Sequence, residues 1–230
     1  MPVEHGQSEE TTQPNVAAKQ RAADAIFLAL RLEIAFGHLK PRERLIEHDL
    51  CRRFNTSNHN IRQAFELLDR VGLVDRRANR GVEVKALTSD ELRDLQEVRV
   101  LLQGEGARRL DLSRAEEIAS QLTGINDRYA EALKLGQIEA AVLANDAFHN
   151  VTFDYCTNGD LAALQRTYWL KASAIVSRAL TDETLSKASI LDHEEIIAAI
   201  RKRDVDRLVA VTVNHIQPAV DVYRRIYGLI

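Results

Sequence analysis

Between residues 47 and 71 the sequence sets two amphipathic segments on either side of a three-residue interruption. That spacing constrains the fold more than any other feature of the chain. Glu47 to Phe54 turns Leu50 and Phe54 inward at helical spacing. Asn55-Thr56-Ser57 follows as a turn, and its serine oxygen is placed to accept from the free amides that open the next helix. That helix runs from about Asn58 to Val71 with Ile61, Phe65 and Leu68 on one face, and Gly72 ends it. Ahead of this pair, Ala17 to Phe36 repeats Ile26, Leu30 and Ile34 at i+4, stops at Gly37, and leads into a turn, Leu39-Lys40-Pro41. Behind it, Leu73-Val74-Asp75-Arg76 and Val82-Glu83-Val84-Lys85 alternate like two strands across Ala78-Asn79-Arg80-Gly81. Helix, short helix, turn, helix and hairpin is the order of a winged helix-turn-helix.

From Thr88 onward the pattern is helical. Thr88-Ser89-Asp90-Glu91 starts a helix with a threonine cap and acids in the first turn, and Leu92, Leu95, Val98, Leu102 and Leu110 continue its stripe. Further helices are predicted over about 112–135, 137–156, 160–180, 183–203 and 204–228, with breaks at Gly136-Gln137, Asn158-Gly159, Thr181-Asp182 and Asp204. Six helices of this length bury a common core. Aromatics at 5% and an abundance of Ala, Leu, Arg and Glu argue against a β-sandwich or barrel. The predicted fold is therefore mainly α, an N-terminal winged helix-turn-helix followed by an all-α six-helix bundle. The division is a disordered tail over 1–15, a winged domain over 16–86 and a helical domain over 87–230. No apolar run approaches the roughly 18 residues of a membrane span. The polar N-terminus is neither signal nor transit peptide. Cys51 and Cys156 lie in different halves without ligand spacing, which excludes a disulfide framework. These features point to a cytoplasmic protein with no membrane partner.

The net charge of −3 hides an asymmetry: residues 38–86 hold 11 Lys/Arg against 7 Asp/Glu, whereas residues 87–230 hold 17 against 22. Only the first part suits a polyanion. The second helix of a helix-turn-helix enters the major groove N-terminus first, which here presents Ser57, Asn58, His59, Asn60 and Arg62. Asn and Arg match adenine and guanine edges. Arg52 and Arg53 end the preceding helix within reach of phosphates, and Arg76, Arg77 and Arg80 sit in or beside the wing. Taken alone, such a cluster also reads as a solvated polar surface; the turn spacing and basic hairpin together favour DNA.

Residues 39–85 resemble the DNA-binding domain of GntR-type transcription regulators, through Leu45, Glu47, Leu50, Ser57, Ile61-Arg62-Gln63-Ala64, Leu68, Gly72-Leu73-Val74 and Asn79-Arg80-Gly81. The resemblance implies DNA contact at Ser57, His59 and Arg62, with close backbone approach at Gly81. This chain has Asn58 where the family usually has Arg, and Asn60 where it often has Pro. Asn58 still faces the bases but cannot make an arginine's guanine contact, so the resemblance implies a different operator.

In the helical part only three histidines occur, each on an apolar stripe. His149 shares its face with Val142, Asn145 and Thr152; His193 with Ile190, Ile197 and Ile200; His215 with Leu208, Thr212 and Tyr223. Each alone reads as a hydrogen-bonded core residue. Together, turned inward from three helices, they read equally as ligands for Zn, Ni, Co or Mn, since a metal offsets the cost of burying polar groups.

Residues 88–228 resemble the all-helical FCD effector domain of the FadR subgroup, in its VanR-like six-helix branch. The resemblance runs through Glu97-Val98-Arg99, Asn145-Asp146-Ala147-Phe148-His149, His193-Glu194-Glu195-Ile196, Ala198-Ala199-Ile200, Arg203-Asp204 and His215. It implies a divalent metal, zinc first, held by His149, His193 and His215, and a small carboxylate effector. The family's acid position is Asn145 here, a weak amide ligand, while Asp146 points about 100° away on the helix. Arg99 matches an effector-binding arginine; its other reading is a surface or interhelical salt bridge. Gln103, where the family often has Glu, has no functional account. The expected function is a metabolite-responsive regulator, a repressor by default, acting as a homodimer on a palindromic double-stranded DNA operator. The alternatives are a metal-dependent hydrolytic enzyme with a three-histidine site, against which no HExxH, Walker loop or GxSxG is present, and a metal sensor.

Overall fold

The computed structural model of the chain describes residues 13–77, 81–180 and 182–228. Residues 1–12 of the expected tail, the wing-turn residues Ala78, Asn79 and Arg80, and Thr181 of an expected break lie outside the described residues, as does the side chain of Arg77. Helix α1 spans Gln13–Phe36 and so begins three residues inside the segment read as tail. Pro14 stands in its first turn, where a missing amide hydrogen costs nothing.

The first unit continues with β1 (Arg44–Leu45), α2 (Glu47–Arg53), α3 (Asn58–Arg70), β2 (Val74–Arg77) and β3 (Gly81–Val84). The two expected strands pair antiparallel with Val74 opposite Val84, and β1, too short to show in the sequence pattern, pairs on the other side of β3 with Leu45 opposite Val82. Ile26, Leu30 and Ile34 of α1 meet Leu50, Ile61, Phe65, Leu68, Leu73, Val74, Val82 and Val84 in one core. Fully burying a side chain such as Leu30, Ile61 or Leu68 contributes about 1.5–3 kcal/mol each.

The second unit is all helical: α4 (Ser89–Arg108), a single 3₁₀ turn at Leu112–Arg114, α5 (Ala115–Lys134), α6 (Ile138–Asp154), α7 (Gly159–Lys171), α8 (Ser173–Ala179), α9 (Glu183–Lys202), α10 (Val205–His215) and α11 (Pro218–Tyr227). The Thr88–Glu91 capping box forms as expected, Glu91 N donating to Thr88 Oγ1 at 3.2 Å and Thr88 N to the Glu91 carboxylate at 2.9 Å. Two expected helices are each interrupted once. The 204–228 helix breaks after His215 because Pro218 has no amide hydrogen to continue the α10 ladder and instead opens α11. The 160–180 helix breaks at Ala172, where nothing local demands it. There the chain turns so that Ala172 and Ile175 pack against Leu92, Val220 and Tyr223.

Helix α1 belongs to both units. Leu32 lies on the face opposite Leu30 and packs with Tyr129, Ala141, Val142 and Leu180 of the bundle. The main bundle core, from Ile118, Leu122, Phe148, Ile196, Ile200 and Leu208 of α5, α6, α9 and α10, supports the face on which the histidines lie.

Candidate nucleic-acid interface and metal centre

Ser57 caps α3 in extended backbone conformation and its side chain accepts from Asn60 N at 3.4 Å. Ser57, Asn58, His59 and Arg62 are all exposed on one end of the helix, as a base-reading surface requires. Asn60 is committed to the turn, its amide donating to Thr56 Oγ1 at 2.8 Å, and the Asn58 carbonyl accepts from Cys51 Sγ at 2.9 Å. Three cations expected to meet DNA are each held by an acid of the same chain. Arg62 pairs with Glu47 at 3.0 Å, Arg52 with Asp49 at 2.7 Å, and Arg53 with Glu33 of α1, which holds its guanidinium above the ordinary arginine value. Half-exposed pairs like these are worth about 0–1 kcal/mol, so little free energy opposes exchanging these acids for another anion. Gly81 has φ +82° with open space where a Cβ would sit, so conformation rather than crowding selects glycine there. Arg76 lies 3.8 Å from Glu66.

In the bundle, α6 supplies Asn145 and His149, α9 supplies His193 and α10 supplies His215. The three imidazoles each bring one ring nitrogen within 4.8 Å of the others. His215 Nε2 lies 3.3 Å from His149 Nε2. Two nitrogens at about 2.0–2.1 Å from one tetrahedral ion stand roughly 3.3–3.4 Å apart, so this spacing suits a shared ion. His193 Nδ1 donates to Asn126 Oδ1 at 3.0 Å, and His215 Nδ1 to Asp192 Oδ2 at 3.1 Å. Those partners leave the Nε2 lone pairs facing inward, the usual outer-shell arrangement of a metal-binding histidine. His193 Nε2 and Asn145 Oδ1 are buried with no hydrogen-bond partner, a costly arrangement that a cation relieves. Burial, and then the neighbouring His215, holds His149 and His193 well below the usual histidine value, so both present neutral nitrogens. Phe148 stacks on His193 with centroids 3.8 Å apart, and Trp169 lies tilted by 33° against His149 at 4.0 Å, so both rings are confined.

Arg99 points into the same core and is 2% exposed. Neither form of the salt bridge weighed above is found: among the described residues no carboxylate pairs with it. Its Nη1 donates to Gln96 Oε1 at 3.0 Å, its Nε has no partner, and Trp169 lies 5.9 Å away face-on. Burial pushes Arg99 down to about 10, which leaves it charged at neutral pH. It lines a cavity of about 50 Å³ with Asn145, Trp169, Asp192 and His215. On the other side of His149, Gln103 lines a smaller void of about 20 Å³ with Gln165 and Thr152.

Asp146 turns away from the histidines, as its helix position implies, and holds two other groups. One oxygen accepts from Arg31 of α1 at 2.6 Å and the other from Trp169 Nε1 at 2.8 Å. Sequence reasoning missed Asn126, Asp192 and Trp169. Asn126 left a signal, an amide one turn beyond Leu122 on the apolar face of α5; Asp192 and Trp169 left none.

Comparison with known proteins supplies the remaining evidence. Residues 22–84 match the family of bacterial regulatory proteins called gntR, and residues 94–218 match the FCD domain. The HTH-type transcriptional regulator BphR of Paraburkholderia xenovorans is 25% identical over 94% of this chain and 90% of its own length. The HTH-type transcriptional repressor RspR of Escherichia coli is 25% identical over 94% and 95%. Two solved structures share the fold. E. coli McbR/YncC has a TM-score of 0.77 at 16% identity, covering 90% of this chain and 98% of that one. A GntR regulator from Rhodococcus sp. RHA1 has a TM-score of 0.71 at 21% identity, covering 93% and 99%. The family and these relatives are transcriptional regulators rather than enzymes, which removes the hydrolase alternative. Among the described residues no helix is long and apolar enough to cross a membrane.

Proposed function

Because the chain belongs to the bacterial gntR regulator family and carries an FCD domain, and is thus a DNA-binding transcriptional regulator, we propose that its helical domain senses a small carboxylate at a three-histidine metal site and relays it to the winged domain. One observation carries this reading: His149, His193 and His215 converge within 4.8 Å on a buried, unpartnered His193 Nε2, beside a buried Arg99 that lacks a counter-ion. The three histidines would hold the ion, with the Asn145 amide oxygen as a fourth, neutral donor. Neutral nitrogens suit zinc first, and nickel, cobalt or manganese also. When bound, the ion supplies positive charge for an anionic oxygen. Arg99 supplies the other anchor, a planar fork that pairs with a carboxylate in two-pronged fashion. Its buried charge without an acid favours an organic anion as the signal over the metal itself.

On the DNA side, two copies of the chain would set two α3 helices on a palindromic operator, half-site spacing following from the dimer. Ser57, Asn58, His59 and Arg62 would face base edges, Arg52 and Arg53 phosphates, and Gly81 would allow close backbone approach. We assign the protein as a repressor because relatives such as RspR carry that name. The effector changes operator affinity only by binding one placement of the winged domain more tightly than another.

The test compares wild type with His193→Ala for metal content and for operator binding by fluorescence anisotropy, at two salt concentrations and with or without chelator. Wild type is expected to hold stoichiometric divalent metal and to respond to chelator. His193→Ala is expected to lose both while keeping the metal-free operator affinity. Equal metal content in the two proteins would rule out the site.

A further inference from the structure

We infer that the effector is a monocarboxylate on a short apolar body, and that sugar acids and dicarboxylates are refused; this rests on the carboxylate reading above and narrows it. The cavity beside the histidines has its charged and amide groups on the cluster itself: Arg99, Asn145, Asp192 and His215. The rest of its wall comes from α8, the first turns of α9 and the start of α11. It is almost wholly apolar, with Val176, Leu180, Leu185 and, at the end of α10, Ile216 as its larger members. Ser189 is the one hydroxyl among those lining residues, and its oxygen already accepts from Tyr129 at 3.2 Å.

Charge sets the number of carboxylates. Among the described residues Arg99 is the only arginine or lysine lining the cavity, and its unpartnered Nε leaves one edge of the fork for one anion. A second carboxylate would meet either the apolar wall or Asp192, whose own carboxylate lines the same space while it orients His215. Hydroxyls fare no better, since each one buried without a partner weakens binding roughly five- to 150-fold. A short hydrocarbon body, by contrast, exchanges water for apolar wall.

Trp169 is the chain's single tryptophan and lines this cavity, so its emission reads occupancy directly. The experiment titrates zinc-loaded protein with butyrate, hexanoate and benzoate, and in parallel with gluconate and succinate. At least one of the first three is expected to saturate a Trp169 change at a concentration tenfold or more below that needed for gluconate or succinate. Arg99→Gln should abolish that change with its zinc content intact, and Asp192→Asn should narrow the deficit of succinate relative to the monocarboxylate within the same variant. Gluconate or succinate binding as tightly as the apolar acids would overturn this inference while leaving the carboxylate reading in place. No response to any acid would overturn both.

Discussion

Asp146 joins the histidine cluster to the DNA-binding half of the chain, and its replacement by asparagine tests that junction. One oxygen accepts from Arg31 at 2.6 Å, the other from the Trp169 indole at 2.8 Å, and that indole lies tilted against His149 with ring centroids 4.0 Å apart. Asparagine keeps an acceptor for the indole and removes the charge. The Arg31 side chain is only 4% exposed, and its Nε and Nη1 have no partners, so the variant buries a guanidinium with no counter-ion. Removing one partner of a buried pair costs about 3–5 kcal/mol, against about 5–15 kcal/mol of total stability for a typical protein. The variant is therefore expected to fold but to lose much of its stability in urea. Arg31→Met alone should lose a comparable amount. The double variant Arg31→Met, Asp146→Asn should recover most of either loss, because it removes both charges and keeps the indole's acceptor. Unfolding followed by circular dichroism and by Trp169 emission gives the three losses, the double variant carrying the same asparagine at 146 as the single so that the cycle closes. Strict additivity, with a coupling energy under about 0.5 kcal/mol, would refute the junction. In operator binding, Asp146→Asn should keep its metal and lose most of the chelator response; an unchanged response would show that the signal travels elsewhere.

Two further outcomes are expected. Arg62→Ala should lower affinity for the operator more than for random DNA, by about 1–3 kcal/mol of discrimination, since its pairing with Glu47 is exposed and readily exchanged. Equal losses on both DNAs in anisotropy would contradict a base-reading role. For pH, burial holds His149 and His193 well below the usual value, whereas the unfolded chain protonates them near 6.5. Below that pH the unfolded state binds more protons, so stability falls with falling pH, by about 2–3 kcal/mol between pH 7.5 and 5.5 for the pair. Urea midpoints of chelator-treated protein at the two pH values measure this, and equal midpoints would mean that the rings reach solvent.

What could be read in the sequence was what short-range chemistry decides. The Ser57 cap, the Thr88 capping box and the Val74 to Val84 pairing are each set by residues within one turn or one hairpin. The three histidines were legible because each interrupts an apolar stripe with a polar ring. Arg99 carried the same signal, lying in line with Leu92, Leu95 and Leu102 on α4, of which Leu92 is buried with it and the other two are half-buried. The break before Pro218 was written in the proline and read past. Asp192 and Trp169 were not legible, because what matters about each is a partner 23 residues away on another helix. The break at Ala172 is tertiary in the same sense: its cause lies in Leu92 and Tyr223.

Helix α1 explains how a site in the bundle can govern a surface on the winged domain. Its Ile26, Leu30 and Ile34 are buried in the winged core, while Leu32 and Arg31 are buried against the bundle, so its position is set by both units at once. The same helix carries Glu33, which holds Arg53 at the C-terminal end of α2. Moving a two-state equilibrium from 1:99 to 99:1 needs a difference of about 5.5 kcal/mol. The Arg53–Glu33 pair, half exposed, is worth about 0–1 kcal/mol and cannot supply it. The Arg31–Asp146 pair, buried, is worth about 3–5 kcal/mol to break, and the Leu32 contact adds to it. Of these two pairs only the one at Asp146 approaches that size. It sits one indole ring from His149, so a ligand that reseated Trp169 would act on the contact that positions α1, and with it on Arg53.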